Sequence, residues 1–223
     1  MKLRHTEVGL PAGENWLDGI LAHSPAAPGL VVLAERSGST LTTARGAFIN
    51  SALHEAGFAT LHLGLLSHDE ERRAPDTWNQ VPTLTARLAA VLEWIRHQPA
   101  LRDMPLGIAS REAAAAAMIR VAVRGPASLR ALACRGGRPD LAGMEPLRSL
   151  ALPLLLVAGE RDGEAGQQNR QVHDVLVGPR ELAVVPGASH SFEEPGTLDE
   201  ASQHIVRWFR RWLATEPADR CST

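Results

Sequence analysis

The stretch of residues 104–124 constrains the fold most strongly, because it passes from an apolar run into a helical segment without a linker. Its first part, residues 106–109, is typical of a short buried strand. Its second part contains five consecutive alanines at 113–117 and predicts a helix over residues 111–123. Ser110 lies between the two parts, where the first N–H groups of the helix have no partner within it. We therefore take Ser110 as a candidate catalytic residue.

The same alternation of apolar runs and helical segments continues along the chain. Strands are expected at 3–8, 16–22, 30–34, 58–63, 129–134, 152–158 and 181–185, and further helices at 43–56, 82–98, 167–176 and 198–214. This order predicts an α/β fold with a mostly parallel central sheet and helices on both faces. The first two strands predict an antiparallel N-terminal edge. A length of 223 residues, 44% of them hydrophobic, suits one domain over 1–215 with a short tail at 216–223.

Composition argues against several classes of function. The net charge of −2 gives no reason to expect nucleic acid or a membrane surface as a partner. No signal peptide is recognisable. Cys134 falls in a predicted strand and Cys221 in a polar tail far along the chain, so we expect no disulfide and a cytoplasmic protein. No metal site is expected, because His54, His62 and His68 fall on a predicted helix, strand and loop. No cofactor is expected either.

Three polar residues directly follow three predicted buried strands, in the order Ser110, Asp162, His190. Ligands of such sheets bind at the carboxyl ends of the strands. A serine hydroxyl becomes a nucleophile when an imidazole takes its proton, and a carboxylate orients that imidazole. Taken singly, the serine is typical of a helix cap, the aspartate of a turn, and the histidine of a polar loop. Together, in this order, they favour a catalytic triad.

Two segments near the C-terminus carry a family resemblance: Arg-Gly-Gly-Arg-Pro-Asp-Leu at 135–141 and Val-Pro-Gly-Ala-Ser-His-Ser-Phe-Glu-Glu-Pro-Gly-Thr-Leu at 185–198. The chain resembles the small dienelactone hydrolase-like α/β-hydrolases related to domains fused to phosphoribosyltransferases. The resemblance implies His190 as the catalytic histidine, Asp162 as its acid and Ser110 as the nucleophile, where the family has Gly-Ala-Ser-Thr-Gly followed by alanines. It also implies hydrolysis of small esters or lactones through an acyl-enzyme.

The chain departs from the family pattern close to the predicted site. Ile108 and Glu112 replace the glycines that flank the family's serine, and Glu35 and Arg36 replace a His-Gly turn that supplies an oxyanion N–H. We expect Arg111, Glu35 and Arg36 to form the oxyanion hole or pocket mouth. Loss of one oxyanion donor typically costs ~10²–10³ in rate.

These departures leave three hypotheses open. The first is a working serine hydrolase with a small-molecule substrate. The second is a catalytically impaired homologue that acts as a binding or interaction protein. The third is an enzyme in which the Glu35–Glu112 region supplies an acid/base pair. A homodimer is expected only if Trp208 and Trp212 of the last helix are exposed, since they otherwise read as core residues.

Overall fold

The computed structural model describes residues 3–37, 44–67, 70 and 80–214. The strands are β1 Arg4–Ala12, β2 Asn15–His23, β3 Leu30–Ser37, β4 Ala59–Leu66, β5 Leu106–Glu112, β6 Leu129–Gly137, β7 Leu154–Gly159 and β8 Arg180–Val185. The helices are α1 Ala44–Glu55, α2 Val81–Arg96, α3 Ala114–Ala122, α4 Met144–Ser149, α5 Gly163–Val175 and α6 Thr197–Leu213. A short 3-10 turn, Pro139–Ala142, precedes α4.

The eight strands form one sheet in the order β1-β2-β4-β3-β5-β6-β7-β8. β1 pairs antiparallel with β2, and β2 pairs antiparallel with β4. All the remaining neighbours are parallel. This confirms the predicted fold class, including its antiparallel N-terminal edge. Since β3, β5, β6 and β7 are parallel, their carboxyl ends meet along one edge of the sheet, and the polar residues that follow them are brought together there.

Helices cover both faces of the sheet and divide the core into two layers. On one face, α2 and α3 bury Leu84, Leu88 and the alanine run 113–117 against the strands. On the other face, α1 and α6 bury Leu53 and Phe209. The alanines are the reason that α3 can lie so close to β5, because their side chains add little bulk. Trp208 is 4% exposed, which confirms its place in the core, and Trp212 packs against the same cluster.

Several predicted boundaries are wrong, and one of them matters for function. β5 runs to Glu112 instead of ending at residue 109, and the following helix begins at Ala114 instead of at residue 111. α5 begins at Gly163, four residues earlier than predicted. β1 continues to Ala12, because Leu10 and Ala12 are buried on the sheet rather than lying in a turn.

Some predictions fall on residues that are not described. The predicted tail at 216–223, Cys221, His68, residues 38–40 of the loop after β3 and most of the charged run at 69–73 lie outside the described residues. From that run Glu70 is described, and both of its carboxylate oxygens accept hydrogen bonds from the Arg87 guanidinium. Within the described ranges, no helix combines the length and the apolar character needed to cross a bilayer.

Candidate active site

The sharp turn between β5 and α3 falls at Glu112. Its backbone φ is 50°, in the left-handed region that residues other than glycine rarely adopt. A β-bulge separates Ser110 from Glu112 in the pairing of β5 with β6, and Glu112 then pairs with Gly137. The Glu112 carbonyl accepts a hydrogen bond of 3.0 Å from the Arg138 N–H, so the end of β6 holds this turn in place. Glu112 is therefore the residue that the strand-to-helix turn presents above the sheet edge.

The structure corrects the predicted position of Ser110. Ser110 lies within β5, two residues before the turn, and is 6% exposed. Its hydroxyl donates a hydrogen bond of 3.2 Å to the thioether sulfur of Met118 on α3. No hydrogen bond joins Ser110 to His190 in the described structure. The hydroxyl thus faces the packed interface between β5 and α3 instead of the sheet edge.

The sequence contains a signal that could have located the turn. If the family pattern Gly-x-Ser-x-Gly is placed two residues later, it matches Ser110-x-Glu112-x-Ala114. Small residues then occupy both glycine positions, where strand and helix pass close to each other. Ala114 is fully buried, as this close packing requires. On this placement of the pattern, Glu112 and not Ser110 stands at the turn.

Asp162 and His190 form the predicted hydrogen-bonded pair. Asp162 follows β7 and immediately precedes α5, and its side chain is fully buried. Its Oδ1 lies 2.5 Å from Nδ1 of His190, whose side chain is 44% exposed. The hydrogen bond to Asp162 is the main reason that the pKa of His190 is raised; burial lowers it, the charges of Asp162 and Glu112 raise it further, and that of Arg111 lowers it. With Nδ1 facing Asp162, Nε2 is the nitrogen left for proton transfer.

The loop that carries His190 is held at several points. Oε2 of Glu194 accepts hydrogen bonds from the N–H and the hydroxyl of Ser189, at 2.9 and 3.2 Å. Arg161 binds Oε1 of Glu194 at 2.9 Å and also donates to the Gly187 carbonyl. Contacts from both neighbouring loops therefore set the position of the imidazole.

Four charged side chains alternate in sign beside the turn. Glu35 on β3 binds Nε of Arg111 at 2.7 Å, and Nη2 of Arg111 lies 3.2 Å from Oε1 of Glu112. The other carboxylate oxygen of Glu112 lies 3.5 Å from Nε of Arg36. We call these four residues the charge chain. Its two positive and two negative formal charges cancel. Because each carboxylate is paired with an arginine, the carboxylates repel a negative charge that develops nearby less strongly than unpaired carboxylates would.

The charge chain includes the three residues predicted for the oxyanion hole or pocket mouth. Arg111 belongs to β5, and the N–H group that follows the turn residue is that of Ala113. The side chains of Glu35, Arg36 and Arg111 lie together and pair with each other and with Glu112.

An open cleft of about 470 Å³ contains the reactive groups. It is lined by Arg36, Glu112, Arg138, Asp162, Gln168 and His190, among others. A larger groove of about 600 Å³ between α2 and α3 contains none of these groups. Among the described residues, no cluster of three or more histidine, cysteine, aspartate or glutamate side chains could hold a metal ion. The chemistry available in this cleft is that of the imidazole, the carboxylates and the arginines.

Curated proteins and solved structures resemble this chain over most of its length. A Mycobacterium tuberculosis protein that carries the provisional name phosphoribosyl transferase is 38% identical over 207 residues, which are 93% of this chain. The chain spans 46% of that relative's length. An esterase domain from Rhodothermus marinus has 16% identity and a TM-score of 0.73, with 94% of this chain and 99% of that chain covered.

A dienelactone hydrolase from Anabaena variabilis is the more informative structure. It is 31% identical, with a TM-score of 0.87, and the match covers 95% of this chain and 99% of that chain. No protein-family model matches the chain. The identity, the near-complete coverage and the shared α/β fold together lead to one conclusion: the chain belongs to the dienelactone hydrolase-like family of α/β-hydrolases, in the small form related to domains fused to phosphoribosyl transferases.

Proposed function

We propose that this chain is a hydrolase of small polar esters or lactones, and that its general base is His190 oriented by Asp162. The observation that carries the proposal is the 2.5 Å contact between a fully buried carboxylate and an imidazole that opens onto the cleft. A buried acid in this position fixes the tautomer of the imidazole and stabilises the imidazolium that forms during proton transfer. The likeness to hydrolases and esterases supports the same reaction class.

Two nucleophiles are compatible with this base: the Ser110 hydroxyl, as predicted from sequence, and a water molecule in the cleft. The Ser-His-Asp mechanism needs the Ser110 hydroxyl within about 3 Å of the imidazole. Instead, that hydroxyl is buried and donates to Met118. The geometry therefore favours water as the attacking group.

The reaction then follows from the positions of the charges. His190 Nε2 removes a proton from water, and the resulting hydroxide adds to the substrate's carbonyl carbon. Arg36, which lines the cleft, supplies positive charge for the carbonyl oxygen as it becomes negative, and Arg111 adds to it from beside Glu112. The imidazolium finally donates its proton to the leaving oxygen, so the histidine is regenerated. The polar lining favours small substrates with polar or ionic groups.

Hydrolysis of p-nitrophenyl acetate and of a small lactone by the purified protein tests the proposal. We expect His190→Ala and Asp162→Asn to lose ~10²-fold or more of kcat/KM, because general base catalysis typically contributes 10²–10⁴-fold. Ser110→Ala should keep wild-type activity, and the protein should form no adduct with a fluorophosphonate. An adduct on Ser110 that disappears in the Ser110→Ala variant would show instead that the serine mechanism operates.

The second candidate is a catalytically impaired homologue that binds a ligand or a partner protein. The charge chain favours it, because Glu112 replaces the family's nucleophile and Glu35 and Arg36 replace the turn that stabilises the oxyanion. A folded wild-type protein that hydrolyses esters no faster than its His190→Ala variant would favour this candidate.

The proposed compartment is the cytoplasm. Cys134 is a free, fully buried thiol whose pKa burial raises to about 12, and such a thiol is unreactive at neutral pH. An unpaired cysteine suits a reducing compartment.

A further inference from the structure

We propose that Glu112 is a carboxylate nucleophile that attacks saturated carbon and forms a glutamyl ester, which the Asp162–His190 pair then hydrolyses. This activity rests on the proposed function, since it uses the same base and the same cleft. Its substrates are small polar molecules with a primary carbon that bears a leaving group able to depart as a stable anion, such as an alkyl halide.

The position of Glu112 is the first step of the argument. The strand-to-helix turn presents this side chain, and not Ser110, to the cleft that contains His190. The turn keeps a glutamate at a φ of 50°, where glycine would be unstrained. Unusual backbone geometry of this kind persists where the surrounding structure imposes it, and it is concentrated at functional sites. Here the Arg138 N–H and the pairing with β6 impose it.

The state of the carboxylate is the second step. Each of its oxygens lies near one arginine, Oε1 at 3.2 Å from Arg111 and Oε2 at 3.5 Å from Arg36. The carboxylate is therefore held between two guanidinium groups. The side chain is nevertheless 39% exposed, so a substrate in the cleft can reach it. Unlike a serine hydroxyl, an ionised carboxylate needs no base before it attacks.

The reaction balances without a cofactor. A carboxylate oxygen of Glu112 forms a bond to the substrate carbon, the bond from that carbon to the leaving group breaks, and the leaving group departs with the electron pair. The product is an alkyl ester of Glu112. His190 Nε2 then takes a proton from water, and the hydroxide adds to the ester carbonyl. Collapse releases the alcohol, which takes the proton from His190, and restores the Glu112 carboxylate.

Saturated carbon is favoured over carbonyl carbon because of the product each would give. Attack of a carboxylate on an ester carbonyl would give an anhydride and expel an alkoxide, whereas attack on an alkyl halide gives an ordinary ester and a stable anion. The anion needs no proton, and Arg36 lies beside the nucleophile to stabilise it. An epoxide would also need an acid to protonate its oxygen, whereas a halide departs without one.

Trapping of the ester tests the proposal. The probe is 2-bromoethanol, and the protein is the His190→Ala variant, in which the second step is blocked. We expect one hydroxyethyl group per protein by intact mass, mapped to Glu112 by peptide analysis. The adduct should be absent from the His190→Ala, Glu112→Gln double variant and present with Glu164→Gln as the second substitution, since Glu164 is another carboxylate on the same cleft. Failure to find the adduct on Glu112 would overturn the proposal.

Isotope labelling gives a second readout. In a single turnover of the wild-type protein in H₂¹⁸O, the alcohol should carry unlabelled oxygen from Glu112, and the label should enter the carboxylate. Labelled alcohol in the first turnover would mean that water attacks the substrate directly, which also overturns the proposal. The ester assay distinguishes the two ideas. Ester hydrolysis that depends on His190, with no Glu112 adduct, leaves the proposed function standing and removes this one.

Discussion

Replacement of Gly159 by alanine should displace the loop that carries His190. Gly159 ends β7, directly before the turn that places Asp162. A Cβ atom at this position would lie 2.4 Å from the Ala188 carbonyl oxygen and 2.7 Å from that of Ser189. Both obstacles are backbone atoms, so no side-chain rotation can relieve them. Ordinary contact begins at 3.4 Å, and the loop must therefore retreat by about 1 Å.

This movement of the loop should lower the free energy of unfolding and weaken the hydrogen bond between His190 and Asp162. Overpacking of this kind typically destabilises a protein by ~1–3 kcal/mol. The same movement pulls on the hydrogen bond from the Arg161 N–H to the Ala188 carbonyl, which is 2.9 Å long. Since the hydrogen bond to Asp162 is the main cause of the raised pKa of His190, we expect this pKa to fall towards its ordinary value in the Gly159→Ala protein.

Urea unfolding at pH 7 measures the free energy of unfolding, and an NMR titration of the His190 ring measures its pKa. Gly166→Ala is the matched control, because this buried glycine lies in α5 and a Cβ there would be 3.4 Å from Cβ of Asp162, an ordinary contact. We expect the control to be as stable as wild type or up to about 1 kcal/mol more stable. A Gly159→Ala protein with wild-type stability and an unchanged His190 pKa would refute the reasoning.

Three further predictions concern other titratable groups. The hydrolysis rate should rise with pH through the raised pKa of His190, because only neutral imidazole is a base, and Asp162→Asn should move this rise to lower pH in a pH–kcat/KM profile. Arg87→Met should lower the free energy of unfolding in urea by ~2 kcal/mol, because Glu70 loses the guanidinium that lowers its pKa to about 2. A decrease of less than about 0.5 kcal/mol would contradict this. Burial, followed by the charge of a neighbouring histidine, lowers the pKa of His54 to about 4. The contribution of His54 to the free energy of unfolding should therefore be complete above pH 6.5 and be lost as the pH falls towards 4. His54→Gln should flatten this dependence by ~1 kcal/mol, allowing for solvent screening, and an unchanged slope would count against it.

Much of the active-site neighbourhood could be predicted because it depends on local patterns. Asp162 and His190 each follow a continuous apolar run, and parallel strands bring such residues to one edge of the sheet. Glu35, Arg36 and Arg111 likewise lie close together in the structure. What the sequence pattern did not show was that these side chains pair with each other, since pairing depends on where the side chains point.

The position of the strand-to-helix turn could not be predicted, because it depends on a neighbouring strand. Helix propensity favours the alanines from 113 onward but says little about Ser110, Arg111 and Glu112. Pairing with β6, and the hydrogen bond from the Arg138 N–H to the Glu112 carbonyl, extend β5 by three residues beyond the apolar run. Ser110, which the sequence pattern placed at the turn, therefore lies two residues before it.

The amino-acid sequence alone is enough to predict the α/β class, the antiparallel edge and the pairing of the Asp162 carboxylate with the His190 imidazole, because hydrophobic periodicity and strand ends are local properties. The tertiary structure decided which side chain stands at the turn between β5 and α3. Only the packing of β5 between β3 and β6 buries Ser110 against Met118 and places Glu112 on the cleft that His190 also lines. Strand pairing between residues that are distant in the sequence, and not any local preference, places the Glu112 carboxylate at this turn.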